Sequence, residues 1–245
     1  MATFAMADIV SKPATERLVN DFAGILSARE SAALEDSLVR YAKRTSTQVT
    51  IVTVNDLDGY DPSEYAYKIG ESWGIGQKGK NNGVVILVKP KLSNSDKGRA
   101  FIAPGYGLEG VLPDITCRHI VANEMIPHFA NNDYASGIVA GAVAVMKACE
   151  GEYTGDQEEE NDNTKAILII IAFIAVFFIF VPRDNNKGGG NHMSSGGLSD
   201  AIFMSTLLNS MRGHNSDWGS FSGGRGSFGG FGGGSFGGGG GGGSW

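Results

Sequence analysis

The chain has 245 residues, 37 of them glycine, with a formal net charge of −6 at pH 7 and a pI near 5.2. This acidic balance argues against a nucleic-acid binder that works by phosphate neutralisation. The four histidines, His119, His128, His192 and His214, and the two cysteines, Cys117 and Cys149, show no zinc-ligand spacing and no spacing that recommends a disulfide; the cysteines read as small buried apolar residues.

At the N-terminus, MATFAMADIV carries Ala5-Met6-Ala7, a small-x-small site behind apolar residues but without a charged start. Residues 1–7 therefore read as the last part of a signal peptide whose start lies upstream, with cleavage after Ala7. The other reading is a disordered cytosolic N-terminus. Ser27 to Glu30 forms a capping box, and Leu34, Leu38 and Tyr41 follow at helical spacing, predicting a helix over 27–45. QVTIVTV (48–54) is a β-branched run suited to a buried strand. The following NDLDG (55–59) lacks the spacing of a calcium loop and reads as a turn.

Asp61-Pro62 opens a second helix with Tyr65, Ile69 and Trp73 on one face. GVVILVK (83–89) and RAFIAP (99–104) are strands joined by the polar loop LSNSDKG, most simply as an antiparallel hairpin. Helices over 114–126 and 133–148, separated by Pro127, close the domain. This order predicts an α/β fold, a three-layer α/β/α sandwich on a mixed, partly parallel sheet.

An acidic linker (151–165) leads into AILIIIAFIAVFFIFV (166–181), uniformly apolar and uncharged. With Pro182 it predicts one transmembrane helix over 166–182, at the short end of spanning length. Acids dominate upstream while Arg183 and Lys187 follow, so the tail is expected in the cytoplasm and the domain outside. Within the tail (183–245), residues 198–212 form a candidate amphipathic helix. The Gly/Ser/Phe repeats beyond it bury too little to fold and read as a flexible or self-associating segment.

Two stretches, GIGQKG (74–79) and GYGLEG (105–110), match the G-x-G-x-x-G pattern of dinucleotide sites. The first follows a helix instead of a strand. The second is followed by two helices where a second parallel strand is needed. No nucleotide is expected. What the loops share is location: the hairpin brings Asn81 and Asn82 near Gly105 to Asp114, and Glu109 and Asp114 add carboxylates of the kind Ca²⁺ takes. Equally, Asp114 reads as a helix N-cap and Glu109 as a solvated side chain.

LVNDFAGILS (18–27), WGIG (73–76), NNGVVILV (81–88), GYGLEGVLPD (105–114) and IPHF with Tyr134 and Gly137 come in the order seen in the TPM domain, which the chain resembles over 18–150. A leader, one span and a glycine-rich tail ending in GGSW resemble its bacterial membrane-anchored branch. The resemblance implies a sheet like the Rossmann arrangement without its cofactor site, and a loop cluster linked to Ca²⁺ in some members. Mapped here, the metal set is Asp21, Asn82, Glu109 and Asp114, with Asn82 standing where many members have Asp. It also implies a weak acid phosphatase as one activity, for which Asp21, Glu109 and Asp114 would be catalytic with bound metal. No Cys-x5-Arg, D-x-D nucleophile pair or Ser/His/Asp set supports that activity independently. The other expectation is a single-pass membrane protein whose extracytoplasmic domain contacts or maintains membrane-protein partners.

Overall fold

The computed structural model describes residues 9–93, 95–151 and 228–245. The expected span, the acidic linker beyond Gly151, the helix at 198–212 and residues 1–7 lie outside them. Among the described residues no helix is long and apolar enough to cross a membrane.

One five-stranded sheet organises the domain, in the order β1 (Val19–Asp21), β2 (Gln48–Thr53), β3 (Gly83–Lys89), β4 (Arg99–Pro104) and β5 (Gly241–Ser244). β1, β2 and β3 run parallel, and β4 and β5 each pair antiparallel with the strand before. The mixed sheet and the β3–β4 hairpin are as the sequence predicts. β3 is buried along all but its last residue, which is why it reads as an unbroken apolar run.

α1 (Ala28–Thr45) begins at the predicted capping box: Ser27 Oγ accepts from Glu30 N–H at 3.3 Å, and Glu30 Oε2 accepts from Ser27 N–H at 2.7 Å. α2 (Pro62–Trp73) starts behind the Asp61 cap and buries Tyr65, Ile69 and Trp73. α1 packs with the C-terminal helices on one face, around Leu38, Ile51, Ile86 and Val139. α2 covers the other face, around Val52, Val85, Leu87 and Ala103. Because β1, β2 and β3 succeed one another in one direction while α1 and α2 lie on opposite faces, the two crossovers have opposite hands.

The helix expected to end before Pro127 continues through it. α3 (Asp114–His119) passes into a π-helical stretch, Ile120–Met125, and then α4 (Ile126–Phe129), ahead of α5 (Tyr134–Cys149). Pro127 falls in the first turn of α4, and Ile126 N–H bonds Val121 O, five residues back. Widening the helix just before the proline gives it a place that needs no N–H.

A larger correction concerns the tail. Residues 228–245 are an ordered part of the domain, with β5 as its fifth strand. β4 would otherwise present an unpaired edge. β5 covers it in the register Arg99↔Ser244 to Ile102↔Gly241, and Gly98 and Trp245 exchange main-chain hydrogen bonds of 3.2 and 3.3 Å beyond it. Phe236 is only 1% exposed, and Trp245 packs at 4.6 Å between ring centroids on Phe129. The glycine run cannot supply a core of its own; it folds because the domain supplies one.

Candidate functional site

The loop Gly105–Asp114 leaves β4 at the edge of the sheet where β3 begins, as the hairpin requires. Gly107 N–H bonds Asn81 O at 3.0 Å, and Gly105 N–H bonds Gly83 O at 2.8 Å. A Cβ at Gly107 would fall on the Lys80 carbonyl oxygen. The glycine serves close approach of two loops, and this is the physical content of the GYGLEG pattern.

Glu109 and Asp114 are both exposed and face residues 237–240 of the tail. Asp114 is the first residue of α3, with Pro113 at the cap position, and its Oδ1 accepts from Gly240 N–H at 2.7 Å. A Cβ on Gly239 would lie 3.2 Å from Asp114 Oδ1 and 3.6 Å from Glu109 Oε1, so the two carboxylates converge on one turn of the tail.

Asn82 shares this edge but is 8% exposed and hydrogen-bonded at both ends of its amide. Its Oδ1 accepts from Gln77 N–H at 2.9 Å, and its Nδ2 donates to Ser46 O at 2.8 Å. The side chain ties the start of β3 to the loops following α1 and α2.

Asp21 lies elsewhere. It pairs with Thr53, which pairs with Val88, six residues along β3 from Asn82. At about 3.3 Å per residue the two levels are roughly 20 Å apart. There Asp21 closes the turn into α1, accepting from Ile25 N–H at 3.2 Å, Leu26 N–H at 2.9 Å and the Thr53 hydroxyl. The expected set of Asp21, Asn82, Glu109 and Asp114 therefore does not close around one Ca²⁺. Nor do Asp21, Glu109 and Asp114 share one reaction centre. Among the described residues no three His, Cys, Asp or Glu side chains group as metal ligands.

The cysteines are free, and burial pushes the Cys117 thiol up to about 12 and the Cys149 thiol up to about 11. Burial thus disfavours the thiolate form of both.

What the sequence reading missed is a groove that receives main chain. Along it, Glu16 Oε2 accepts from Phe231 N–H at 2.9 Å, Glu71 Oε1 from Phe236 N–H, and Asn81 Oδ1 from Ser235 N–H at 3.1 Å. The Lys12 ammonium, joined by the Phe231 amide, holds the Glu16 carboxyl below its usual range. Phe236 lies on Gly70, where a Cβ would come within 2.6 Å of its ring. A glycine inside a helix weakens it by about 1 kcal/mol relative to alanine; here it opens the seat for a phenyl ring. That mid-helix glycine was the available signal.

The family model of the TPM domain (TPM phosphatase) matches residues 19–148, just over half of the 245-residue chain. The chain belongs to the TPM domain family. Among solved structures it is similar to the N-terminal domain of a protein from P. gingivalis, at 29% identity and a TM-score of 0.49, covering 60% of this chain and 88% of that one. It is also similar to the N-terminal domain of the cg2496 protein from Corynebacterium glutamicum, at 14% identity and a TM-score of 0.41, covering 63% and 93%. No curated protein matches the chain. The C-terminal strand lies beyond the matched TPM domain, so residues 228–245 are an addition of this chain to the matched segment.

Proposed function

We propose that this chain is a membrane-attached interaction module whose TPM domain holds extended, glycine-rich segments of partner chains along β4. The observation that carries this reading is the pairing of β4 with a strand from outside the matched domain. Main-chain pairing gives affinity, and seats for individual side chains give selectivity. The dispersal of the candidate carboxylates leaves the phosphatase reading without a constructed centre.

Photo-crosslinking tests it. A photoreactive residue in place of Arg99, which pairs with Ser244 at the β4 edge, should join the full chain to membrane proteins in native membranes. Crosslinks confined within single chains, with none to another molecule, would overturn the reading. Phosphomonoester hydrolysis that purifies with the chain and falls more than tenfold in Asp114→Ala would make it an enzyme instead.

Membrane attachment through residues 166–182 belongs to the same reading. One crossing by that segment would separate the domain from the tail, whereas a strand docked on its own domain requires both on one side. We therefore assign domain and tail to the same, extracytoplasmic face. A cysteine at the exposed Ser244 should react with a membrane-impermeant maleimide in intact cells. Reaction only after lysis would return the tail to the cytoplasm.

A further inference from the structure

We propose that the β4 edge is a receptor for the C-terminal segment of a second copy of this chain, so that copies join by exchanging Phe228–Trp245. This rests on the reading of β4 as a strand-holding edge and names its partner.

Steric selection is the first argument. A Cβ at Gly241 would lie 2.6 Å from Asp114 O, at Gly242 2.6 Å from Ala100 O, and at Gly243 2.7 Å from the Ile126 side chain. At Gly241 and Gly242 the obstacle is main chain, so a strand with side chains at those positions is shut out. The incoming segment must be glycine at consecutive positions, carry a phenyl group for the Gly70 seat, and end in an indole. That indole stacks on Phe129 and lies 6.3 Å between centroids from Tyr134. In this sequence GGGS with Trp245 behind it and Phe236 before it meets every condition.

The second argument is electrostatic. Glu16, Glu71 and Asp114 accept the main-chain N–H groups of Phe231, Phe236 and Gly240. Charge-assisted bonds of this type bind the backbone of a neutral segment and ask nothing of its side chains. Residues 228–245 carry no charged side chain.

A third observation bears on release. The Trp245 indole N–H is buried without a hydrogen-bond partner, an unfavourable state that ends whenever the segment leaves. The contacts named here lie within residues 228–245 on one side and 12–134 on the other. A tail from another copy makes the same set, and such exchange is a low-cost route to assembly: closed when reciprocal, open-ended when one-directional.

Complementation of two full-length variants tests the exchange. Gly70→Leu fills the phenyl seat and keeps the tail. The double variant Phe236→Ala, Trp245→Ala keeps the seat and strips the tail of its anchors. Differently tagged and mixed in detergent, the two should co-purify at least tenfold above either variant mixed with its own kind. In parallel, a labelled synthetic peptide of residues 228–245 should bind the double variant saturably, and at least tenfold less well when it carries Phe236→Ala. Should Gly70→Leu fail to fold, the unaltered chain serves as tail donor. Peptide binding without co-purification would overturn exchange between copies. Absence of peptide binding to the folded double variant would overturn the receptor itself. If crosslinks from position 99 to membrane proteins persist in either case, strand holding at β4 survives; if they also vanish, that reading falls as well.

Discussion

Replacing Phe236 with alanine is expected to release the C-terminal strand while leaving the rest of the domain folded. The ring is 1% exposed and sits against α2 at Gly70, within the apolar cluster of Tyr65, Ile69, Trp73 and Leu87. Truncating a buried phenylalanine costs about 3–5 kcal/mol, part lost transfer and part cavity. The segment it anchors has little to offset this. Glycine loses more backbone freedom on ordering than any other residue, and β5 buries no side chains between Gly241 and Gly243. Its main-chain hydrogen bonds replace bonds to water and add only about 1 kcal/mol each. Docking therefore depends on the aromatic anchors. At 1.4 kcal/mol per tenfold change, a loss of about 3 kcal/mol raises local opening by roughly two orders of magnitude. Amide exchange reads this directly. Amides of Arg99–Ile102 that face β5 should exchange more than 100-fold faster, while those between β2 and β3 keep their protection. Unchanged exchange along β4 would mean that Trp245 and the carboxylate contacts hold the strand alone.

Much of the domain was legible because its elements announce themselves locally. The Ser27–Glu30 box, the β-branched run of β2, the Asp61-Pro62 start of α2 and the apolar run of β3 each reflect a local rule that the fold obeys. β1 was not legible: three residues, Val19–Asp21, are too few to show a period, and their strand character comes from pairing with β2. Asp21 entered the expected set through the family resemblance alone, and nothing local could check its place. Without β1 there was no strand direction to say that its end lies level with Thr53 and not with Asn82. β5 was hidden for the opposite reason. A glycine run has low intrinsic strand preference, and only the tertiary fact of an open β4 edge makes it a strand. The juxtaposition of Asn81 and Asn82 with the Glu109 loop was readable because it follows from one hairpin. The tail lying over that loop was not, since it depends on contacts more than a hundred residues apart in sequence.

Asn82→Asp gives the sharpest test of whether the loop cluster is a metal site or a structural clip. If a missing carboxylate were what kept this chain from binding Ca²⁺, restoring it would raise both metal affinity and, with metal, stability. The surroundings of Asn82 argue the reverse. Nδ2 is a donor to the Ser46 carbonyl at 2.8 Å, and aspartate would present an acceptor to that acceptor. The opposite oxygen would keep its bond from Gln77 N–H. The site is 8% exposed, so the new charge would be held largely away from water with no cation beside it in the clip. Losing a buried hydrogen bond and orphaning its partner costs about 1–3 kcal/mol, and the charge adds to this. We expect Asn82→Asp to lower stability by about 2–4 kcal/mol at neutral pH. Part of this should return as the pH falls and the carboxyl takes up a proton, because the protonated acid again offers a donor to Ser46. In sign, burial raises the folded-state pKa of the introduced acid above its unfolded value, so the variant loses stability as pH rises through that range. Denaturant unfolding of the full chain between pH 4 and 8, with and without Ca²⁺, measures both effects. A variant as stable as the parent, or one that Ca²⁺ stabilises by more than about 1 kcal/mol, would show that position 82 opens onto a cation site instead of closing a clip.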